Sequence, residues 1–403
     1  MNSQTKLFQV GSFNVKLNHL VIIGVLVLAF SMSFLIRSQP ADYGYELMEF
    51  DPFFNFRATE YIVENGFIEY FTWDDDKSWY PHGRNVSATS QVMLHSTAAI
   101  TYQIFGGNSS LYDFTILFPV VIGSLTVIVI FGLVRVFAGT TAGLLASLLF
   151  AVSLPIILRG SLGWFKSEPL GIFYALFALY LFFSGIRSKN KKIAFLKIIL
   201  GGITMTFAMA SWGGVQFFII PLGLFILALP FVRKDHKFLL WSIPLFVGIF
   251  LLTALMFERP GTSFVFGLGG ISLIIPTIFL VLCIFIQKIS KDKHKIRNGL
   301  ILLTSIIIIG SFLVIIGEEF NFVSMPSFRY LNALNPFLTT QDPLTDSVAE
   351  HATTSIQISF LFHSTLLIFS ALSAWFLLSK KISSSIIFER NDMRVFVLIM
   401  GIT

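Results

Sequence analysis

The recurrence of apolar stretches about 20 residues long constrains the fold of this chain more than any other feature. A helix of about that length crosses the roughly 30 Å hydrocarbon core of a bilayer. Of the 403 residues, 55% are hydrophobic and only 12% are charged, and the mean hydropathy is +0.80. We therefore predict an all-α polytopic membrane protein with about 10–11 transmembrane helices. The ten full stretches are 17–36, 112–134, 141–158, 169–186, 194–211, 214–232, 238–257, 266–287, 298–316 and 358–379, and an eleventh begins at Val395.

The first and last of these stretches carry expectations about the chain ends. Stretch 17–36 is long enough to span a membrane and lacks a small-residue cleavage pattern, so it is interpreted as a signal anchor. The eleventh stretch reaches only about 14 Å as a helix before Thr403. We therefore expect the chain to belong to a longer or split protein.

The distribution of charge predicts how these helices are oriented. If the N-terminus is cytoplasmic, most of the 28 lysines and arginines fall in inner loops, where positive charge is normally retained. Only four of the 22 acidic residues fall there: Asp235, Asp292, Glu389 and Asp392. The net charge of +6 thus reflects topology. No nucleic-acid binding is expected, because the basic residues are scattered over short loops rather than gathered on one face.

Polar residues are concentrated in three outer segments, which this topology places on one side of the membrane: 38–111, 159–168 and 317–357. Among the outer loops of this topology, the first (38–111) and the fifth (317–357) are the long ones. Within the first, residues 89–105 are predicted to form an amphipathic helix on the membrane surface. The interiors of the predicted spans contain almost no ionisable residue, which argues against a transporter, since transporters place such groups near the midplane.

Each outer segment has one acid that lies close to a helix end. Asp51 precedes a proline, which disfavours helical backbone at Asp51 and predicts a non-helical turn there. Glu168 precedes Pro169 at a predicted helix start, where capping alone would also explain a carboxylate. Glu350 lies late in the third segment. Three carboxylates on one face would suit Mg²⁺ or Mn²⁺, whereas Asp74, Asp75 and Asp76 are interpreted as solvated surface charges.

Four runs of sequence resemble the catalytic subunit of oligosaccharyltransferase in its archaeal form. They are EFDPFFNFR (49–57), DDDKSWYPHGR (74–84), RGSLGWFKSEPLGIF (159–173) and SVAEHATTS (347–355). The resemblance implies a GT-C type transmembrane domain over residues 1–403. It also implies metal-dependent, inverting transfer of an oligosaccharide from a dolichol-type lipid phosphate or pyrophosphate to the asparagine of Asn-X-Ser/Thr. The implied partners are that lipid-linked oligosaccharide, an acceptor protein and membrane lipids.

The resemblance also implies roles for individual residues. Asp51 and Glu350 match catalytic acids, which together with Glu168, and more weakly Glu49, would hold Mn²⁺ or Mg²⁺. Candidate substrate-binding residues are Arg57, Trp79, Arg159, Arg329 and His351. For Arg159 and Arg329, a helix-end cation or a lipid headgroup contact remains the alternative. The implied location is an archaeal cell membrane with the site facing outside, and the second choice is the endoplasmic reticulum membrane with a lumenal site.

Two departures from the family pattern keep alternatives open. The second acidic motif normally begins with aspartate, and here that position is Lys166. The C-terminal domain with the WWDYG motif is also absent from this sequence. The alternatives are a GT-C glycosyltransferase that modifies a lipid or hydroxyl acceptor, and a non-catalytic accessory relative.

Overall fold

A computed structural model describes residues 6–10, 13–319 and 391–402, together with isolated residues between 357 and 375. Much of the predicted span 358–379 and nearly all of the segment 317–357 therefore lie outside the described residues, as do the candidate site residues Arg329, Glu350 and His351.

The described elements, in chain order, are β1 (Lys6–Val10), β2 (Phe13–Lys16), α1 (Leu17–Ser38), a 3₁₀ turn (Gln39–Asp42), α2 (Asp51–Asn65), α3 (Phe67–Phe71), β3 (Asp74–Asp75), β4 (Arg84–Asn85), α4 (Val86–Thr89), α5 (Val92–Phe105), α6 (Leu111–Ala151), α7 (Leu154–Leu158), α8 (Ser167–Arg187), α9 (Lys191–Ser211), a 3₁₀ turn (Gly213–Val215), α10 (Gln216–Val232), α11 (His236–Ala254), α12 (Gly261–Val265), α13 (Leu268–Ile289), a 3₁₀ turn (Asp292–His294), α14 (Lys295–Glu319) and α15 (Asn391–Ile402). The strands form two small antiparallel hairpins, β1 with β2 and β3 with β4, which the sequence analysis did not predict.

Long helices coincide with the predicted apolar stretches. Within the described residues, seven helical segments are long and apolar enough to cross a membrane, namely those that contain α1, α6, α8, α9, α10, α11 and α13. This confirms an all-α polytopic membrane protein. The helix α14 covers the predicted span 298–316, and α15 covers the start of the eleventh stretch.

The long element α6 is a pair of helices rather than one rod. Gly139 has φ 86° and ψ 179°, a non-helical conformation that interrupts it. A Cβ atom added to Gly143 would lie 2.8 Å from the carbonyl oxygen of Phe131, although residues twelve apart in a straight helix are about 18 Å apart. The chain therefore turns back at Gly139, as expected from two predicted spans, 112–134 and 141–158. The second half ends earlier than predicted, at Ala151, and α7 follows it.

The bundle packs through small residues and buried aromatic rings. Helix α8 packs against α9 and α6, α9 against α11, and α10 against α13. On α9, Cβ atoms at Gly201 and Gly202 would lie 3.3 Å from the Ala178 carbonyl and 3.0 Å from the Phe246 carbonyl, so both neighbouring backbones approach closely. Close approach matters because helices in lipid associate through packing rather than through a hydrophobic driving force.

The first outer loop has a small core of its own at one end of the bundle. Its buried residues come from α2, α3, α4 and α5: Ala58, Ile62, Tyr70, Val86, Val92 and Ala99. The predicted helix 89–105 is present as α5, and residues such as Leu94 and Ala98 on it are fully buried in protein. This folded loop gives α2 a fixed position above the bundle.

Candidate active site

Backbone hydrogen bonds join the loop before α2 to the loop before α8. The Met48 amide donates to the Gly163 carbonyl at 3.1 Å, and the Gly163 amide donates to the Ile116 carbonyl at 3.0 Å. Gly163 has φ 76°, and a Cβ atom there would collide with the carbonyl oxygen of Glu46. Only glycine fits this crossing, since it has no side chain and tolerates a positive φ.

A buried chain of polar side chains sets the register between these two loops. Asn55 Nδ2 donates to the Phe165 carbonyl at 2.8 Å, and Asn55 Oδ1 lies 3.0 Å from His95 Nε2. His95 Nδ1 in turn lies 2.7 Å from the Tyr70 hydroxyl. Asn55 is one helical turn after Asp51, and Phe165 directly precedes Lys166. The chain therefore holds the first acidic motif against the second.

At the junction, Lys166 forms ion pairs with both acids of the first motif. Its Nζ lies 2.8 Å from Glu49 Oε2 and 3.1 Å from Asp51 Oδ2. The lysine side chain is only 11% exposed, whereas those of Glu49 and Asp51 are 47% and 60% exposed. Burial lowers the pKa of Lys166, but the hydrogen bonds and charges of Glu49 and Asp51 outweigh it and raise the pKa above its usual value. The lysine therefore remains an ammonium ion at neutral pH.

The backbone around these acids differs from the sequence prediction. Asp51 is the first residue of α2, so the expectation of a non-helical turn was wrong. Proline at the second helical position fits because its amide would have no partner in the first turn, and a carboxylate there faces the positive end of the helix dipole. Glu49 has φ 64°, a conformation uncommon for residues other than glycine. This turn brings Glu49 and Asp51 to the same ammonium, although an extended chain would point them apart.

The second acidic motif contributes another ion pair beside the first. Arg159 Nη1 lies 3.4 Å from Glu168 Oε1, and Glu168 is in the first turn of α8, which begins at Ser167 rather than at Pro169. The Trp164 ring contacts both cations of this loop, with Lys166 Nζ 4.5 Å and the Arg159 guanidinium 5.1 Å from its centre. Trp164 was not among the site residues predicted from the sequence. Its position between two basic residues was the available signal, since such rings attract cations.

Arg57 and Asp75 form a structural pair that the sequence analysis did not foresee. The Arg57 guanidinium donates to Asp75, which also accepts from the Ser78 hydroxyl at 2.5 Å and the Lys77 amide at 3.1 Å. Asp75 is fully buried, so its interpretation as a solvated charge was wrong. The β3–β4 hairpin buries this carboxylate and its hydrogen-bond donors compensate for the lost water. Arg57 therefore has a structural partner in this loop, and its substrate-binding role stays a prediction.

Trp79 lies at the surface of the same hairpin and is 61% exposed. Its φ is 56°, and the Arg84 guanidinium lies 4.8 Å from its ring and 4.1 Å from that of Phe54. An exposed indole with a cation on one face is suited to contact a substrate. The substrate-binding role of Trp79 stays a prediction.

The donors in this part of the chain do not fit a divalent metal as they are arranged. Within the described ranges, no three histidine, cysteine, aspartate or glutamate side chains lie close enough to hold a metal ion. Two of the candidate ligands, Glu49 and Asp51, are bridged by the Lys166 ammonium. Lys166 therefore contacts the acids from the position that a cation would take.

Comparison with known proteins places the chain in a family. Residues 19–289 match the family model described as oligosaccharyl transferase STT3, N-terminal. The chain belongs to the STT3 family. The matched range contains three of the four runs that carried the sequence resemblance, including the positions of Glu49, Asp51, Lys166 and Glu168.

Individual STT3 relatives cover nearly the whole chain. A dolichyl-diphosphooligosaccharide–protein glycosyltransferase subunit STT3B from Arabidopsis thaliana is 25% identical over 95% of this chain and 52% of its own length. The STT3 subunit from Dictyostelium discoideum is 24% identical, with the same coverage of 95% and 52%. The chain thus spans about half the length of the curated relatives it matches.

Solved structures share the fold at lower identity. The Archaeoglobus fulgidus oligosaccharyltransferase AglB, in complex with an inhibitory peptide and a dolichol-phosphate, aligns with a TM-score of 0.69 and 17% identity over 95% of this chain and 49% of AglB. A structure of the same organism's oligosaccharyltransferase with Zn and sulfate aligns with a TM-score of 0.60 and 20% identity, over 94% of this chain and 48% of that one. The chain therefore has the GT-C type membrane fold that the resemblance implied.

Proposed function

We propose that this chain is the membrane-embedded catalytic part of an oligosaccharyltransferase. It transfers an oligosaccharide from a dolichol-type lipid phosphate or pyrophosphate to the asparagine of Asn-X-Ser/Thr in a protein. The observation that carries this proposal is the convergence of Asp51, Glu49 and Lys166 with the Arg159–Glu168 pair at one end of the bundle. These residues belong to the two acidic motifs inside the range that matches the STT3 family.

The acid side of the pocket suits the acceptor amide. An asparagine side-chain nitrogen is a poor nucleophile, because its lone pair is delocalised into the carbonyl as in a peptide bond. The largely exposed carboxylate of Asp51 accepts a hydrogen bond from the acceptor N–H and weakens that conjugation. Glu350, on the third outer segment, supplies a second acceptor in this proposal. The nitrogen then attacks the sugar carbon on the face opposite the phosphate, the carbon–oxygen bond to the phosphate breaks with inversion, and a carboxylate such as Asp51 takes the proton that the nitrogen loses.

The basic side of the pocket suits the lipid donor. Arg159 lies beside Glu168 and is 40% exposed, so its guanidinium is accessible to a phosphate oxygen. Arginine pairs well with phosphate because its donors match the spacing of two oxygens. A phosphate or pyrophosphate leaves readily, so no general acid is needed. Arg329, Trp79 and His351 are proposed as further contacts to substrate.

The metal and the membrane of residence belong to the same proposal. Mn²⁺ or Mg²⁺ is the expected cofactor, with Asp51, Glu168 and Glu350 as ligands and Glu49 as a weaker one. The donors in the described part of the chain do not fit a divalent ion in this arrangement. We propose an archaeal cell membrane with the pocket outside, and the endoplasmic reticulum membrane with a lumenal pocket as second choice.

A non-catalytic relative is the second candidate, and one observation favours it. The Lys166 ammonium neutralises charge on Glu49 and Asp51, which lowers their capacity to bind a metal or accept hydrogen bonds. The two candidates differ in whether Asp51 matters for glycan transfer.

The test is peptide glycosylation by the purified full chain, supplied with a lipid-linked oligosaccharide, a sequon peptide and Mn²⁺. We expect Asp51→Asn to lower the transfer rate at least about 100-fold, whereas Asp76→Asn, an exposed acid of the same loop, leaves it unchanged. Transfer that survives Asp51→Asn contradicts the assignment. Modification of a lipid or hydroxyl in place of the peptide changes the acceptor class, and no transfer to any acceptor selects the non-catalytic candidate.

A further inference from the structure

The sequence resemblance aligns Lys166 with a position that normally holds aspartate, and the contacts of Lys166 suggest what it does there. We propose that Lys166 is a built-in cation for the Glu49–Asp51 pair and that it lowers the affinity of this pocket for divalent cations. The inference rests on the proposed function for the pocket's catalytic role. Cation binding itself can be measured without any reaction.

The lysine is held in place rather than swinging freely. Its side chain is mostly buried, and its Nζ lies 4.5 Å from the centre of the Trp164 ring. The preceding residue, Phe165, is fully buried and accepts the hydrogen bond from Asn55. The crossing at Gly163 fixes the same loop from its other side. The ammonium is therefore a constant feature of the pocket.

A divalent ion at this acid pair would compete directly with the ammonium. Oxygen ligands stand about 2.0–2.6 Å from a divalent ion such as Mg²⁺ or Ca²⁺, and the Lys166 nitrogen already lies 2.8 and 3.1 Å from the nearest oxygens of Glu49 and Asp51. Both cations cannot share that space, and like charges repel strongly at such separations. Binding must displace Lys166 or use fewer carboxylates, and either route weakens it.

The experiment is a Mn²⁺ titration of the detergent-solubilised full chain without lipid donor or peptide, in which free Mn²⁺ is measured by electron paramagnetic resonance. Lys166→Gln is expected to lower the Kd for Mn²⁺ at least about tenfold, and Lys166→Asp to lower it further. Lys166→Arg keeps the charge and should keep the weak affinity of the wild type.

Lys295→Gln is the matched control, because Lys295 also pairs with an acid, Asp292, at 2.5 Å but lies at the opposite end of the bundle. It should leave the Kd unchanged. Thermal unfolding of each variant shows whether it is folded, and Mn²⁺ should raise the midpoint of Lys166→Gln more than that of the wild type. Equal Kd values for wild type and Lys166→Gln overturn the proposal, whether or not the chain transfers glycan.

A second inference concerns a cavity at the other end of the bundle, beside the turn at Gly139. It has a volume of about 750 Å³, and three basic side chains line it: Arg135, Arg187 and Lys197. Its remaining lining is mostly apolar and includes Ile128, Phe131 and Phe177, and none of the described residues that line it is acidic. The positive-inside pattern assigns this end to the cytoplasmic leaflet.

We infer that the cavity binds an anionic phospholipid of the cytoplasmic leaflet. The three basic residues suit its phosphate, because a partly buried cation gains from an anion in low dielectric. Lys197 Nζ donates a hydrogen bond to the Ser184 hydroxyl at 2.6 Å, and both residues line the cavity. The part of the lining that contains Phe131 and Phe177 suits a hydrocarbon chain. The apolar and basic surfaces are adjacent, and this combination matches a lipid rather than a free anion.

The test compares thermal unfolding and lipid retention in nanodiscs of phosphatidylglycerol and of phosphatidylcholine. Phosphatidylglycerol should raise the midpoint of the wild type and remain bound in native mass spectrometry, and the double variant Arg135→Gln/Lys197→Gln should lose both effects. The control Lys288→Gln/Lys291→Gln removes the same charge from exposed inner residues and should keep them. Equal retention by the two double variants overturns the inference, and stabilisation by inorganic phosphate alone contradicts a lipid site.

Discussion

At the scale of single residues, a few backbone positions decide the pocket. Gly163 permits the crossing of two loops, Glu49 adopts a positive φ, and Asn55 ties α2 to the residue before Lys166. Gly163 and Asn55 carry no charge, and the backbone of Glu49 matters beside its carboxylate, yet each of the three helps to set the distance between an acid and a cation. Residues that position a site are as decisive here as the residues that carry charge.

Gly163→Ala tests that reasoning, because its Cβ atom would meet the Glu46 carbonyl. We expect a loss of at least about 2 kcal/mol in the free energy of unfolding, from backbone strain plus the clash, and loss of glycan transfer. Gly107→Ala is the matched control, since Gly107 also has a positive φ of 56° but no atom within 4 Å of the added carbon. Gly107→Ala should cost about 1 kcal/mol, from the strain of an L-residue in the left-handed region. Equal costs would show that the crossing is not tight.

At the scale of elements, the packing of α5 against α2 and α3 depends on a neutral histidine. Burial, with a smaller contribution from the charge of Arg84, lowers the pKa of His95 to about 3. In the unfolded chain histidine titrates near 6.5, so between these values the unfolded state binds more protons. The stabilising contribution of this core is complete above about pH 6.5 and is lost as the pH falls towards 3.

The free energy of unfolding should therefore fall below about pH 6.5. His95 contributes at most about 1.4 kcal/mol of that fall per pH unit, and thermal unfolding at a series of pH values measures it. His95→Gln removes the titrating group and should flatten that part of the profile. His82→Gln, at an exposed position of the same loop, should not. A profile for His95→Gln that matches the wild type would mean that His95 is not the group responsible.

At the scale of the whole molecule, the two ends of the bundle differ in chemistry. One end has the folded loop and the acid–cation pocket, and the other has the basic cavity beside Gly139. Charge distribution assigns the first end to the outside. The separation is physically sensible, because a site for an exported glycan and a site for cytoplasmic-leaflet lipid would need opposite surfaces.

Cysteine labelling tests this orientation. The native Cys283 is buried, so we expect an impermeant maleimide to give little background in intact cells. Asp76→Cys should react from outside, and Lys291→Cys only after permeabilisation. The reverse pattern would invert the topology and place the proposed active site in the cytoplasm.

The sequence alone determined the membrane class, the approximate bounds of most spans and the family resemblance. Apolar length, positive loops and the motif runs are local properties, and the bilayer imposes the same demands on every chain. Local reasoning failed at Asp51, where the following proline predicted a turn but the helix begins, and at Asp75, which is buried rather than solvated.

Only the tertiary structure decided what Lys166 does. Sequence spacing shows an ammonium in place of an acid but does not tell where it points, since Lys166 and Glu49 are 117 residues apart. The folded loops bring them within 2.8 Å through the Gly163 crossing and the Asn55 tie. The sequence determines which side chains are charged and with which sign, whereas the pairing of those charges depends on distances that only tertiary packing sets.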